Sequence, residues 1–170
     1  MGTLVIHPAD ASTQFLTPIY EGRGWTVIDT DISRREMGLE IKSHDRVLML
    51  GHGDSLGMYG FDRYVINKSM TYHLRQKKCV SIWCNAIDFI RANRMDGFYT
   101  GMIISEYEEA MLCCVRNFTY LQIERSNELF GNAIRDSIWK PKMDEVALSL
   151  YVDEGNPIVE FNRNNIFSKF

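Results

Sequence analysis

The chain has 170 residues, 45% hydrophobic and 24% charged, the balance of a single ordinary globular domain with room for a sizeable core; two full domains would be cramped. Nineteen Lys and Arg against 22 Asp and Glu leave a net charge of −3. The bulk electrostatics therefore exclude a strongly basic binder of nucleic acid or anionic membrane, and any such binding would need a local patch.

No stretch approaches 18 consecutive apolar residues, and the N-terminus, MGTLVIHPADAS, has no basic start followed by an apolar run and small residues. A cytoplasmic protein without membrane or nucleic-acid partners is expected. Cys79, Cys84 and the adjacent pair Cys113 and Cys114 are poorly spaced for a disulfide framework and lack the CxxC pairs of a zinc site. They read as reduced thiols, with no metal and no cofactor.

In chain order, Thr3 to His7 reads as a strand, and a helix near Ser12 to Tyr20 follows Pro8. Gly22 and Gly24 break that helix before a short strand at Trp25 to Ile28. Ser33 to Ile41 carries a capping signal, Ser33 followed by Glu36, with Met37 and Ile41 at helical spacing. Arg46 to Leu50 is the clearest buried strand, and it runs into a glycine-rich loop, Gly51 to Gly57. Tyr64 to Asn67 is extended, Ser69 to Lys77 helical, and Cys79 to Trp83 a further strand ending on Cys84 and Asn85.

Ile87 to Arg94 reads as helix and Gly97 to Ile104 as strand. Tyr107 to Val115, Ile123 to Trp139 and Met143 to Tyr151 read as helices, and the tail from Asp153 has no clear periodicity. Short apolar, β-branched runs alternating with amphipathic stretches predict one α/β domain over 1–170, a three-layer α/β/α sandwich with a mostly parallel sheet.

In such sheets ligands bind beyond the carboxyl ends of the strands. The residues there are His7 and Asp10, Asp29 and Asp31, His52 and Asp54, Cys84 and Asn85, and Ser105 and Glu106. A histidine and a cysteine at the ends of the two most strand-like segments suit nucleophilic thiol chemistry, because an imidazole can take the thiol proton and later protonate a leaving amine. The amides of Gly53 and Cys84 are candidates for an oxyanion hole. Cys79, Cys113 and Cys114 read as core filling, His7 as a strand exit, and His44 and His73 as solvent-facing. The short charge clusters, Arg75 to Lys78 and Lys140 with Lys142, read as solvated surface.

An apolar block closing on His-Gly (VLMLGHG, with His52) and a second closing on Cys (CVSIWCNA, with Cys84) resemble the signature of the caspase-like cysteine peptidases. The resemblance covers Thr3 to Ile104 and implies a caspase-like fold, with His52 as general base and acid, Cys84 as nucleophile and Gly53 in the oxyanion hole. The Gln-Ala-Cys-x-Gly pentapeptide of caspases is absent, and His52 and Cys84 lie 32 residues apart, against about 50 in caspases. The chain resembles a divergent, minimal member.

The resemblance further implies a protein or peptide substrate, with specificity set at the base of the first pocket. Acidic candidates are Asp10, Asp88 and Asp54, with Arg63 and Arg91 the basic ones, and a preference for cleavage after basic residues is expected. An activating partner or ligand is compatible with this reading. The alternatives are a catalytically silent caspase-like module that binds a partner or small signalling ligand in the same cleft, and a small-molecule or nucleotide-binding α/β domain using the glycine loop.

Overall fold

The alternating apolar runs assemble into one central sheet with helices on both faces. The computed structural model describes residues 2–169. It opens with β1 (Thr3–Ile6), a 3-10 helix (Ala11–Ile19), β2 (Thr26–Ile28), α1 (Arg34–Ser43) and β3 (Arg46–Leu50). Three short strands follow: β4 (His52–Asp54), β5 (Gly57–Gly60) and β6 (Arg63–Asn67). After a 3-10 turn (Lys68–Met70) come α2 (Thr71–Leu74), β7 (Lys78–Ile82), α3 (Ala86–Ala92) and β8 (Gly97–Thr100). The chain continues through α4 (Tyr107–Leu112), α5 (Tyr120–Ser137), α6 (Met143–Leu150), α7 (Pro157–Arg163) and β9 (Ile166–Lys169).

The main sheet has the order β2-β1-β3-β7-β8-β9. The first five strands are parallel, and β9 closes one edge antiparallel to β8. Because side chains alternate across a strand, Leu4, Ile6, Val47 and Met49 face one way and pack with Met37 and Ile41 of α1, Leu74 of α2 and Phe89 and Ile90 of α3. Val5, Leu48, Leu50, Val80 and Ile82 face the other way and pack with Leu16 and Ile19 of the 3-10 helix, Phe130 and Ile134 of α5 and Ala147 of α6. The expected α/β sandwich with a mostly parallel sheet is thus present. Among the described residues, no helix is long and apolar enough to cross a membrane.

Several elements depart from the sequence reading for local reasons. The segment after Asp10 is 3-10 rather than α-helical, with Pro18, which has no amide hydrogen, inside it. The glycine-rich segment after β3 is not a free loop: Asp54 Oδ1 accepts the Leu56 amide at 2.7 Å, the turn there pairs β4 with β5, and β5 pairs with β6 across the turn at Phe61 and Asp62, in a separate three-stranded antiparallel sheet. Helix 69–77 shrinks to a 3-10 turn and one α-turn. Strand 97–104 stops at Thr100, where the Gly101 amide turns away to Asn165 O at 2.8 Å. The tail is ordered as α7, capped by Asn156 with Pro157 at its start, and as β9.

The capping signal at Ser33 is realised as a reciprocal box. Ser33 Oγ accepts the Glu36 amide at 3.2 Å, and Glu36 accepts the Ser33 amide at 2.9 Å. Ser33→Ala is expected to lower stability by about 1 kcal/mol in urea unfolding, the usual magnitude for a lost N-cap.

Candidate active site

Strands β3 and β7 are neighbours in parallel register, with Leu50 opposite Ile82. His52 and Cys84 each lie two residues beyond that pair, so the chain presents them at the same level past the carboxyl edge of the sheet. The exits are fixed by the backbone. Gly51, at φ 150, turns the chain out of β3 and donates its amide to Ile82 O at 3.1 Å. Thr100 Oγ1 donates to Trp83 O at 2.9 Å, and the Asn85 amide donates to Gly101 O at 3.0 Å. Asn85 then takes a left-handed conformation, φ 62, and α3 begins. Cys84 thus sits in a strand-to-helix turn held from the adjacent strand β8.

His52 and Cys84 line one narrow pocket of about 20 Å³ with Thr13, Leu16, Ile103, Ser105 and Glu109. The thiol bonds to groups other than the imidazole: Cys84 Sγ donates to Ile103 O at 3.6 Å and lies 3.9 Å from Glu109 Oε1. Burial, and after it the Glu109 carboxylate, push the Cys84 pKa up to about 11. In this conformation the residue is a protonated thiol at neutral pH.

Glu109 is itself held in place. Its Oε2 accepts the Ser105 amide at 2.7 Å, the Ser105 hydroxyl at 3.0 Å and the Glu106 amide at 3.1 Å, closing the first turn of α4. Glu109→Gln keeps an acceptor oxygen there and removes the charge. Iodoacetamide alkylation of Cys84, followed across pH by peptide mapping, is expected to shift to lower pH in this variant, with about a threefold rate gain at pH 7 for each unit the pKa falls, since more thiolate is partly offset by its lower nucleophilicity. An unchanged profile would assign the protonated thiol to burial alone.

His52 belongs to a chain of hydrogen bonds reaching back to the loop after β1. Ser12 Oγ lies 2.6 Å from both Asp10 Oδ1 and His52 Nε2. The hydroxyl has one proton to give. Donating it to the carboxylate leaves Ser12 to accept from Nε2–H, which sets Nδ1 as the unprotonated, basic nitrogen. The carboxylate lies 3.7 Å from Nε2. The Ser12 hydroxyl and amide, with His52 beyond them, hold the Asp10 carboxyl below its ordinary value. Behind this layer His7 is buried between Tyr20 OH, 3.0 Å, and Thr13 Oγ1, 3.1 Å, and burial lowers its pKa.

On the other side of His52 is a larger pocket of about 250 Å³, lined by Asp10, Tyr59, Phe61 and Asp62 among others. Of the acidic residues singled out for substrate recognition, only Asp10 faces it. Asp88 lies exposed on the first turn of α3 and lines neither pocket. The Asp54 carboxylate is taken up by the hairpin, accepting the Leu56 amide and the Tyr64 hydroxyl, each at 2.7 Å. Its carbonyl accepts Trp83 Nε1 at 3.1 Å. Gly53 is pressed against Trp83 and Gly57 O, with no room for a Cβ, so packing alone requires glycine there. Arg63 is engaged with Asp31 and the Ile32 carbonyl.

Two further assignments change. Cys113 is half-buried and Cys114 exposed, so the pair fills little core, whereas Cys79 is buried as expected. His44 and His73 are half-buried rather than solvent-facing, and the His44 ring spans Glu40 O at 2.8 Å and Thr26 Oγ1 at 3.1 Å. Sequence reasoning missed Ser12 and Glu109 as members of the site. Ser12 was read only as the start of the helix after Pro8, and Glu109, 25 residues beyond Cys84, only as part of the helix from Tyr107 to Val115.

Comparison of the chain with protein-family models, with curated proteins and with solved structures found no match.

Proposed function

We propose that the protein is a cysteine endopeptidase of the caspase-like kind, with His52 and Cys84 as its dyad. The observation that carries this reading is the shared register of β3 and β7, which delivers the imidazole and the thiol to one pocket from adjacent strands. In the main sheet His52 follows the third strand and Cys84 the fourth, in keeping with the resemblance of VLMLGHG and CVSIWCNA to that group.

In the proposed reaction a peptide carbonyl enters beside Cys84, and the thiol rotates from Ile103 O toward His52. Nδ1 takes the thiol proton, the sulfur attacks the carbonyl carbon, and the C–N bond breaks as the imidazolium returns the proton to the leaving amine. Water, deprotonated by the same imidazole, then hydrolyses the thioester. Ser12 and Asp10 stabilise the imidazolium between these steps. Asp10 and Asp62 line the 250 Å³ pocket beside His52, which favours a basic residue before the scissile bond.

The protonated Cys84 thiol favours a second reading, a catalytically silent module that binds a partner or signalling ligand in this cleft. A set of fluorogenic peptides with Arg, Lys or Asp before the reporter separates the two. Cleavage after Arg or Lys, lost in Cys84→Ala, is the expected result. No turnover of any peptide, together with no labelling of Cys84 by peptidyl acyloxymethyl ketones, would overturn the peptidase reading in favour of the silent module.

A further inference from the structure

Two exposed surfaces of this molecule carry apolar side chains that neither the core nor the His52 and Cys84 pocket requires, and the two are opposite in charge. Along α1, Arg35, Leu39 and Lys42 follow at spacings of four and three residues and so form one stripe. With Arg34, Ser69 and His73 they line a groove of about 390 Å³ between α1 and the segment that opens α2, and no carboxylate lines it. Arg34, Arg35 and Lys42 are exposed, Leu39 is 54% exposed, and Tyr72 beside His73 is 70% exposed. The two acids of α1 are turned elsewhere, Glu36 to the Ser33 cap and Glu40 to His44. Arg34 and Arg35 open the helix, where the positive end of its dipole disfavours a cation by about 0.3 to 1 kcal/mol. Helix stability gives no reason for them, and local conflicts of this kind gather where residues serve function.

The second surface lies where α4 meets α5. Met111 and Leu112 end α4, Tyr120 and Leu121 begin α5, and these four side chains are 57 to 82% exposed. Tyr107 joins the two pairs: it stands one turn before Met111 and stacks on Tyr120 with ring centroids 4.5 Å apart. Buried Ile104, Ala110 and Ile123 pack beneath, so the ridge is preformed. Glu108 and Glu124, both exposed, stand one turn from Leu112 and from Tyr120. Of the cations nearby in sequence, Arg125 pairs with Glu128 at 2.8 Å and Arg116 is exposed in the connecting loop. Among the described residues Arg34, Arg35, Lys42, Glu108 and Glu124 have no ion-pair partner. Clustered exposed apolar side chains rimmed by polar ones mark interaction surfaces.

Each surface offers what the other lacks: a cationic groove with Leu39 and Tyr72 at hand, and an acidic ridge of leucine, methionine and tyrosine. The helices that carry them, α1 with α2 and α5, pack on opposite faces of the main sheet. One copy can therefore present the groove to one neighbour and the ridge to another.

We propose that the protein self-associates head to tail, with the acidic ridge of α4 and α5 of one copy seated in the cationic groove of the next. Leu112, Tyr120 and Leu121 meet Leu39 and Tyr72, while Glu108 and Glu124 face Arg35 and Lys42. The two contact surfaces differ, so the interface is heterologous, and assembly runs on into rings or filaments rather than closing as a two-fold dimer. The proposal stands apart from the peptidase reading.

Sedimentation velocity of the full-length chain over a range of concentrations tests this. The expected result is a distribution that moves past the dimer as concentration rises and retreats at higher salt. Arg35→Glu with Lys42→Glu, and separately Glu108→Lys with Glu124→Lys, place like charges across the contact and should each weaken association by at least about tenfold. All four positions are exposed, so the fold tolerates the changes. Mixing the two charge-reversed proteins sets opposite charges across every contact again and should restore association to the wild-type level. A wild-type chain that stays monomeric would overturn the proposal and leave the two surfaces to different partners. A species that stops at a dimer, reversal variants that associate as the wild type does, or a mixture no stronger than its components would overturn it as well.

Discussion

On the proposed peptidase reading, Cys84→Ala is expected to abolish peptide hydrolysis, and His52→Ala to lower kcat by about 10²- to 10⁴-fold, the usual contribution of a general acid and base. The two losses differ because alanine at position 84 removes the atom that forms the thioester in the proposed reaction. Alanine at position 52 removes only the proton carrier and leaves a thiol whose pKa is about 11, so thiolate is scarce at neutral pH. The double variant should be no worse than Cys84→Ala, since groups acting in one step are far from additive. Near-ultraviolet circular dichroism on each variant controls for folding; both positions are only half-buried. Hydrolysis by Cys84→Ala above about 1% of wild type would place the nucleophile elsewhere, and a His52→Ala enzyme with undiminished kcat would remove the imidazole from the mechanism.

The same reasoning orders the supporting residues. Ser12→Ala breaks the 2.6 Å contacts on either side of the hydroxyl while leaving both reacting groups in place. Asp10 is half-exposed, so its influence on the imidazole is screened by water. The hydroxyl's main effect is therefore on which ring nitrogen carries the proton.

Strands β3 and β7 were legible because each is an apolar run buried on both faces, and such runs mark the centre of a parallel sheet. Once they are identified, His52 and Cys84 follow as the first chemically active residues after them. Of the β4–β5–β6 sheet only β6 was legible, as the extended stretch Tyr64 to Asn67; β4 and β5 were not, because HGD and GMYG are too short and glycine-rich to signal strands. What makes them strands is the Asp54 turn and the packing of Met58 and Ile66. The tail was missed for a similar reason: β9 exists because the edge of β8 needs a partner, a tertiary demand with little local signal. Asn156-Pro157 was a readable helix start. Glu109 reaches Cys84 only because the chain after β8 folds back over the sheet edge, and no spacing in the sequence encodes that distance.

That fold-back is anchored by a buried side-chain amide, whose removal is expected to destabilise the protein by about 2 to 4 kcal/mol. Asn162 of α7 is 1% exposed. Its Oδ1 accepts the Ile104 amide at 2.7 Å, and its Nδ2 donates to Ile104 O at 2.9 Å and to Tyr151 OH at 3.1 Å. Tyr151 OH in turn lies 2.6 Å from Ser126 Oγ of α5. One amide thus joins α7, α5 and the segment after β8. Asn162→Ala leaves a buried backbone amide and carbonyl without partners and opens a small void, two penalties that add because neither group can reach water without moving α7. Ile104 adjoins Ile103, whose carbonyl accepts the Cys84 thiol, and Ser105, whose amide holds Glu109. The loss should therefore appear twice: as a lower midpoint in urea unfolding, and as faster alkylation of Cys84 in the folded protein as the thiol loses its enclosure. A midpoint within about 0.5 kcal/mol of wild type would show that the segment is held by the packing of Ile104 against Ile123 and Ile158 rather than by the amide.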